Sequence, residues 1–174
     1  MTRVGAGRNE DVLVVGMNPH VQAESEAIER SNPAARVLTV RDTARDDVVQ
    51  GARSGGGQGL HDLRSGAGIQ SFVAGLELPP AQGQRVAVAL ASAGADARDE
   101  LAQLAQVWAR AEKGGVIPSR LVLSGHSGDF SLWGEDKGFQ NGELTRDDVA
   151  RLAAALPGAA ARIEDLCLAA CYNG

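Results

Sequence analysis

The sequence has few aromatic residues and no long apolar run. Aromatic side chains make up only 3% of its 174 residues, so Ala, Val, Leu and Ile must supply the core. No apolar run approaches the roughly 20 residues that a transmembrane helix needs. Residues 1–11 also lack the apolar stretch of an export signal. We therefore expect a cytoplasmic protein that does not interact with membranes.

The sequence also has no excess of basic residues. The chain carries 17 basic and 22 acidic side chains, a formal net charge of −5, and no basic stripe interleaved with aromatic residues. Nucleic acid is therefore a poor candidate partner. The two cysteines of a cytoplasmic protein are expected to be free thiols rather than a disulfide. Hydrophobic residues reach 44%, which is enough for one folded domain.

Short apolar runs alternate with amphipathic helical patterns over residues 11–174, which we interpret as a single domain. Strands are predicted at residues 11–16, 35–40, 85–90, 120–124 and 163–170. Helices are predicted to begin at Asn18, Asp96 and Thr145, each of which is a good N-cap residue. Such alternation is typical of a parallel sheet covered on both faces. The sequence therefore predicts a three-layer α/β sandwich with a mostly parallel sheet of about five strands.

Two segments lack this regularity. Residues 1–10 show no periodicity and are predicted to form a flexible tail. Nine of the 22 glycines fall within residues 51–84, which are predicted to form a mobile insertion with a short helix near Ile69–Leu76. A phosphate-binding loop at Ser54–Gly59 is disfavoured, because no strand directly precedes it and no Gly-Lys-Ser/Thr follows.

Reactive side chains follow the last two predicted strands. His126 comes after the strand at 120–124, and Cys171 comes after the strand at 163–170. The interval between them has room for one helix, as a right-handed crossover between parallel strands requires. If the two strands are neighbours, they lie about 4.8 Å apart. An imidazole beside a thiol raises the thiolate fraction, and the thiolate is the form that attacks a carbonyl carbon.

Two sequence blocks carry a resemblance to a known family: Leu121-Val-Leu-Ser-Gly-His126 and Leu166-Cys-Leu-Ala-Ala-Cys171. They resemble the motifs of bacterial-type members of the caspase-like cysteine peptidases (the clan of caspases, metacaspases, gingipains and legumains). In that family, one hydrophobic block ends in His-Gly and a second ends in Ala-Cys. The resemblance covers residues 85–174 and, by topology alone, the first two strands. It implies a caspase-like fold and peptide-bond hydrolysis without a cofactor, with His126 as general base and Cys171 as nucleophile.

The same resemblance suggests the rest of the site. The oxyanion-hole amides of the family would correspond to Ser127 or Gly128 and to Cys171 itself, although Ser127 stands where the family has its glycine. Three acidic residues of the following loop are candidates for binding a basic substrate side chain: Asp129, Glu135 and Asp136.

The resemblance also bears on partners. The sequence continues for three residues after Cys171, whereas members of the family continue with strands and loops that build the substrate pocket. We therefore expect a peptide or protein substrate, and a carboxy-terminal fragment or a second chain that completes the pocket. The first alternative to a peptidase is a catalytically inactive caspase-like module with a binding or scaffolding role.

The second alternative is a serine hydrolase that uses Ser127. The run Gly125-His-Ser-Gly-Asp129 is similar to the nucleophile elbow Gly-x-Ser-x-Gly, but Asp129 replaces the last glycine and no histidine follows Ser127. A zinc site formed by His126 and Cys171 is disfavoured, because the sequence lacks the paired ligand spacing of such sites.

The other cysteine, the other two histidines and two arginines are not expected to belong to the site. Cys167 lies between two leucines in the middle of its predicted strand, so it is expected to be a small buried hydrophobe. His20 at a helix start and His61 in the insertion are expected at the surface. Arg53 and Arg64, also in the insertion, are predicted sites of proteolytic nicking, because exposed glycine-rich loops are readily cut.

Overall fold

The computed structural model describes residues 11–17, 21–41, 47–128, 131–133 and 143–171. The predicted tail at 1–10 and the predicted helix start at Asn18 lie outside these ranges. The strands are β1 Val12–Gly16, β2 Val37–Arg41, β3 Val48–Ala52, β4 Gln58–Asp62, β5 Arg120–Gly128, β6 Ser131–Trp133, β7 Glu143–Thr145 and β8 Asp165–Cys171. The helices are α1 Val21–Ser31, α2 Gly66–Gly75, α3 Pro80–Ser92, α4 Arg98–Glu112, α5 Arg146–Ala155 and α6 Pro157–Ala160, with a 3₁₀ turn at Ala95–Ala97.

A central sheet organises the described residues. Four of its strands run parallel in the spatial order β2-β1-β5-β8. Strands β6 and β7 extend the sheet antiparallel from the carboxyl end of β5. A separate antiparallel hairpin is formed by β3 and β4. The predicted α/β class is thus confirmed, and the parallel sheet with its helices is consistent with three layers.

Alternation along the strands assigns residues to two sides of the sheet. The main face carries Leu13, Val15, Leu121 and Leu123, all buried in the main core. Helices α3, α4 and α5 complete that core with Val86, Leu90, Leu101, Leu104 and Leu152. The opposite side, the α1 face, carries Val12, Val14 and Val122, which pack with Val21 of α1. Helices therefore cover both faces of the sheet.

The strand predicted at 85–90 is wrong, because these residues lie inside α3. The buried residues Val86, Ala87 and Leu90 have the spacing of one helix face. Pro80 occupies the first turn, where its fixed φ favours a helix. Alternating valine and alanine indicated a strand, but alanine is the best helix former, and α3 has a core to pack against.

Residues 51–84, predicted as a mobile insertion, instead contain most of the β3–β4 hairpin, all of α2 and the start of α3. Glycines 55, 56 and 57 form the hairpin tip with φ values of 92°, 105° and 81°, a region that glycine alone enters readily. Gly75 permits close packing, since a Cβ there would lie 1.8 Å from the carbonyl oxygen of Ala52. The short helix predicted near Ile69–Leu76 is confirmed as α2.

The predicted N-cap of α5 is confirmed, whereas the predicted N-cap Asp96 is wrong. Asp96 lies within the 3₁₀ turn Ala95–Ala97, and α4 begins only at Arg98, without a side-chain cap. Thr145 caps α5: its hydroxyl accepts the Asp148 N–H, and the Asp148 carboxylate accepts the Thr145 N–H, both at 3.1 Å. Helix α4 buries an apolar face that includes Leu104 and Trp108. Among the described helices, none is both long and apolar enough to cross a bilayer.

His61 is not a surface residue as predicted. It lies on β4, is only 3% exposed, and packs edge-on against the ring of Phe72 on α2, with ring centroids 5.7 Å apart. Its Nδ1 forms a hydrogen bond of 3.2 Å with the Ser71 hydroxyl. The residue is buried because the hairpin presents one of its two faces to α2, a contact that a loop would not make.

Candidate functional site

Strands β5 and β8 bring positions 126 and 171 together. The two strands are parallel neighbours, paired from Arg120 with Asp165 to His126 with Cys171. Adjacent strands lie about 4.8 Å apart, and positions paired in register share one side of a sheet. The neighbouring strands on which the dyad hypothesis depends are therefore present, and the two residues occupy the last pair of that register.

His126 lies where three strands meet. The pairing of β1 with β5 ends at Gly16 and Ser124. Two residues later β6 begins to pair with β5, with Trp133 opposite His126. His126 is half-buried and stands beyond the end of β1. This is the carboxyl edge of the parallel strands, where open α/β sheets bind their ligands.

His126 and Cys171 do not follow their strands as predicted but lie within them, because β5 extends to Gly128 and β8 to Cys171. Strand β5 thus continues through Ser127 and Gly128, the two candidate oxyanion donors. They pair antiparallel with Leu132 and Ser131 of β6. A nucleophile elbow requires a sharp strand-to-helix turn at the serine. The backbone at Ser127 is extended strand instead, which disfavours the serine hydrolase alternative.

Several predicted residues lie outside the described part of the chain. These are the acidic candidates Asp129, Glu135 and Asp136, together with His20. Elsewhere, among the residues that the structure describes, no group of three or more His, Cys, Asp or Glu side chains could hold a metal ion.

A polar contact between α1 and β5, not foreseen from the sequence, lies two residues before His126. The hydroxyl of Ser124, a residue that is only 1% exposed, donates a hydrogen bond to the carboxylate of Glu24. Glu24 belongs to the first turn of α1. In the sequence its only signal is an acid at a helix start, which a favourable interaction with the helix dipole already explains.

The close approach of α1 to the sheet depends on Gly16. A Cβ at this position would lie 2.2 Å from Cγ2 and 2.3 Å from Cβ of Val21, the first residue of α1. Only a glycine here lets the first turn of the helix reach the sheet. The same approach brings Glu24 within reach of Ser124.

Strand β8 is exposed on both sides. Leu166 and Leu168 extend the main-face rows of the buried Leu121 and Leu123, yet they are 56% and 63% exposed. Cys167 is also exposed, so the prediction that it is buried is wrong. The reason is position: within the described residues, β5 is the only strand that pairs with β8, and β8 therefore forms an edge.

The two arginines predicted as cleavage sites differ in their surroundings. Arg64 forms two hydrogen bonds with the Asp62 carboxylate, at 2.9 and 2.7 Å. These bonds, helped by the backbone N–H of Arg64, lower the pKa of Asp62 to about 2. Arg53 is exposed beside the glycine tip of the hairpin. Only Arg53 therefore lies beside a backbone built largely of glycine.

Comparisons of the chain with models of protein families, with curated proteins and with solved structures found no match. The function is therefore inferred from the chemistry of His126 and Cys171, from the strand order β2-β1-β5-β8 and from the register at the carboxyl edge.

Proposed function

We propose that this chain carries the catalytic dyad of a cysteine peptidase of caspase-like fold, formed by His126 and Cys171. The observation that carries the proposal is their pairing in register on two neighbouring parallel strands, beyond the end of β1. A histidine and a cysteine, distant in the sequence, occupy neighbouring positions at the edge where α/β sheets bind substrates. A general base next to a thiol is the minimal equipment for nucleophilic catalysis.

The proposed reaction has two stages. His126 takes the proton of the Cys171 thiol, and the thiolate sulfur attacks the scissile carbonyl carbon. The C–N bond then breaks as His126 gives the proton to the leaving amine. In the second stage His126 takes a proton from water, whose oxygen attacks the thioester and releases the acid and the thiol. No cofactor is required.

Backbone amides would stabilise the oxyanion that forms in both stages. The candidates are the N–H of Cys171 and that of Ser127 or Gly128. Further candidates, for binding a basic substrate side chain, are the acidic residues of the following loop: Asp129, Glu135 and Asp136.

We also propose that a carboxy-terminal segment or a second chain covers β8 and completes the substrate pocket. The exposed Leu166 and Leu168 support this, because they continue the rows of Leu121 and Leu123, which are buried on β5. An edge strand with unpaired backbone groups and apolar side chains readily accepts another strand.

Thiol reactivity tests the dyad without requiring a substrate. The chain has two cysteines, so Cys167→Ala leaves Cys171 as the only thiol, and Cys171→Ala leaves the exposed Cys167 as a reference. We expect iodoacetamide at pH 7 to label Cys171 at least about tenfold faster than Cys167, because a neighbouring imidazole raises the fraction of the reactive thiolate. His126→Ala in the Cys167→Ala background should remove the advantage. Equal rates, insensitive to His126, would favour the inactive binding module.

A further inference from the structure

The hydrogen bond between Glu24 and Ser124 joins residues that are 100 positions apart in the sequence. Ser124 is almost completely buried, and Glu24 is half-buried. A hydroxyl that donates to a carboxylate forms a charge-assisted bond, stronger than a bond between neutral groups. Loss of either partner would leave the other polar group poorly satisfied beneath α1. The bond therefore fixes the first turn of α1 to one point on β5.

Ser124 lies two residues before His126, the proposed base. Residues i and i+2 of a strand share a side of the sheet and lie about 6.6 Å apart, so Ser124 and His126 both belong to the α1 face. Pairing with β1 ends at Ser124, whose carbonyl still accepts the Met17 N–H at 3.0 Å. Pairing with β6 begins only at His126. Along the edge of β5 that faces β1 and then β6, Ser124 is thus the last residue paired with β1, two positions before His126.

We propose that Glu24 is a positioning residue for His126 that acts through Ser124. By holding β5 at the place where one neighbouring strand ends and the next begins, the bond keeps His126 aligned with position 171. This inference rests on the proposed function. A displacement of about 1 Å can cost up to about 100-fold in rate, so we expect loss of the bond to slow the reaction of Cys171 about tenfold.

The adjacent residue of α1 provides a matched control. Ser25 accepts a hydrogen bond of 2.9 Å from the hydroxyl of Thr39 on β2. This bond also joins α1 to the sheet, but on the other side of β1 from β5. Ser25→Ala should therefore lower stability through α1 without moving β5.

The experiment measures the rate at which iodoacetamide labels Cys171 in the Cys167→Ala background, with the Tm of each variant. Glu24→Ala and Ser124→Ala should each slow labelling about tenfold, and the double variant should be no slower than either single one. Glu24→Gln keeps an acceptor for the Ser124 hydroxyl and should restore most of the rate. Ser25→Ala should lower the Tm and leave the rate unchanged.

Failure of this inference can be told from failure of the proposed function. If His126→Ala slows labelling and Glu24→Ala does not, the dyad stands and the role of Glu24 is overturned. If Ser25→Ala slows labelling as much as Glu24→Ala, the effect is a general loosening of α1, and the positioning role is again rejected. If labelling is slow in the parent and insensitive to His126, the dyad itself fails. Ser124→Ala, which removes a single oxygen, keeps the test valid should Glu24→Ala not fold.

Discussion

His126 on β5 and Cys171 on β8 are partners in the last pair that these two parallel strands form within the described residues. The dyad proposal therefore depends on the register of these strands rather than on the conformation of a loop. A slip of one residue would move position 171 to the other side of the sheet. The buried Leu121 and Leu123 fix which side of β5 faces the main core, and thereby the side of the sheet on which position 126 lies.

Removal of either dyad residue should abolish peptide hydrolysis. We expect His126→Ala to lower kcat/KM by about 100-fold or more, since general base catalysis contributes that much, and Cys171→Ala to leave no measurable hydrolysis. Fluorogenic peptides with arginine, alanine or glutamate before the scissile bond provide the assay, with Cys167→Ala as control. Hydrolysis that survives Cys171→Ala but is lost in Ser127→Ala would restore the serine hydrolase alternative.

Two leucines paired across β5 and β8 should differ sharply in their contribution to stability. Leu123 is 5% exposed and Leu168 is 63% exposed, although they lie in one row of the main face. Leu123→Ala should lower the free energy of unfolding by about 2–5 kcal/mol, and Leu168→Ala by well under 1 kcal/mol. Urea denaturation at low protein concentration measures both. A large loss for Leu168→Ala would mean that β8 is covered in solution even without an added partner.

Limited proteolysis should distinguish the two arginines of the glycine-rich region. Trypsin should cut after Arg53 first, because the neighbouring glycines leave the hairpin tip few side-chain contacts. Arg64 is held by Asp62 and should be cut later. Mass spectrometry of timed samples identifies the order. The same measurement on protein incubated alone tests self-processing, which would give the Arg53 cut in the parent and not in Cys171→Ala.

The hydrogen bonds from Arg64 should make the Asp62 carboxyl titrate at an unusually low pH. Its folded pKa of about 2 lies below the ordinary value of 3.8, so the pair contributes stability above about pH 4 and loses it as the pH falls towards 2. NMR titration of the Asp62 carboxyl carbon should show it still ionised at pH 3. In Arg64→Gln its pKa should return towards the ordinary value. An unchanged titration in that variant would contradict the assigned cause.

The sequence predicts an element well where its signals are local. Thr145 marks the start of α5 as predicted, and it forms a capping box with Asp148 within a single turn. The Val-Ala alternation at 85–90 fits both a strand and a helix, and the choice depends on packing that no short window contains. The edge position of β8, which exposes Cys167, is likewise set by strand order rather than by neighbouring residues.

One feature of the candidate site could be predicted from the sequence and another could not. The pairing of His126 with Cys171 could be anticipated, because strand ends in a parallel sheet meet at a common edge. The bond between Glu24 and Ser124 could not, since it requires α1 to settle on β5 at a particular depth. The caspase-like identity stays a prediction that the experiments above address.

Gly16 determines how closely α1 approaches the sheet. One added methyl group would act as a wedge between helix and sheet, because the side chain of Val21 already fills the space. The wedge would lift the first turn of α1 and draw Glu24 away from Ser124. A substitution at Gly16, which bears no reactive group, would thereby disturb the contact two residues before His126 through a steric clash alone.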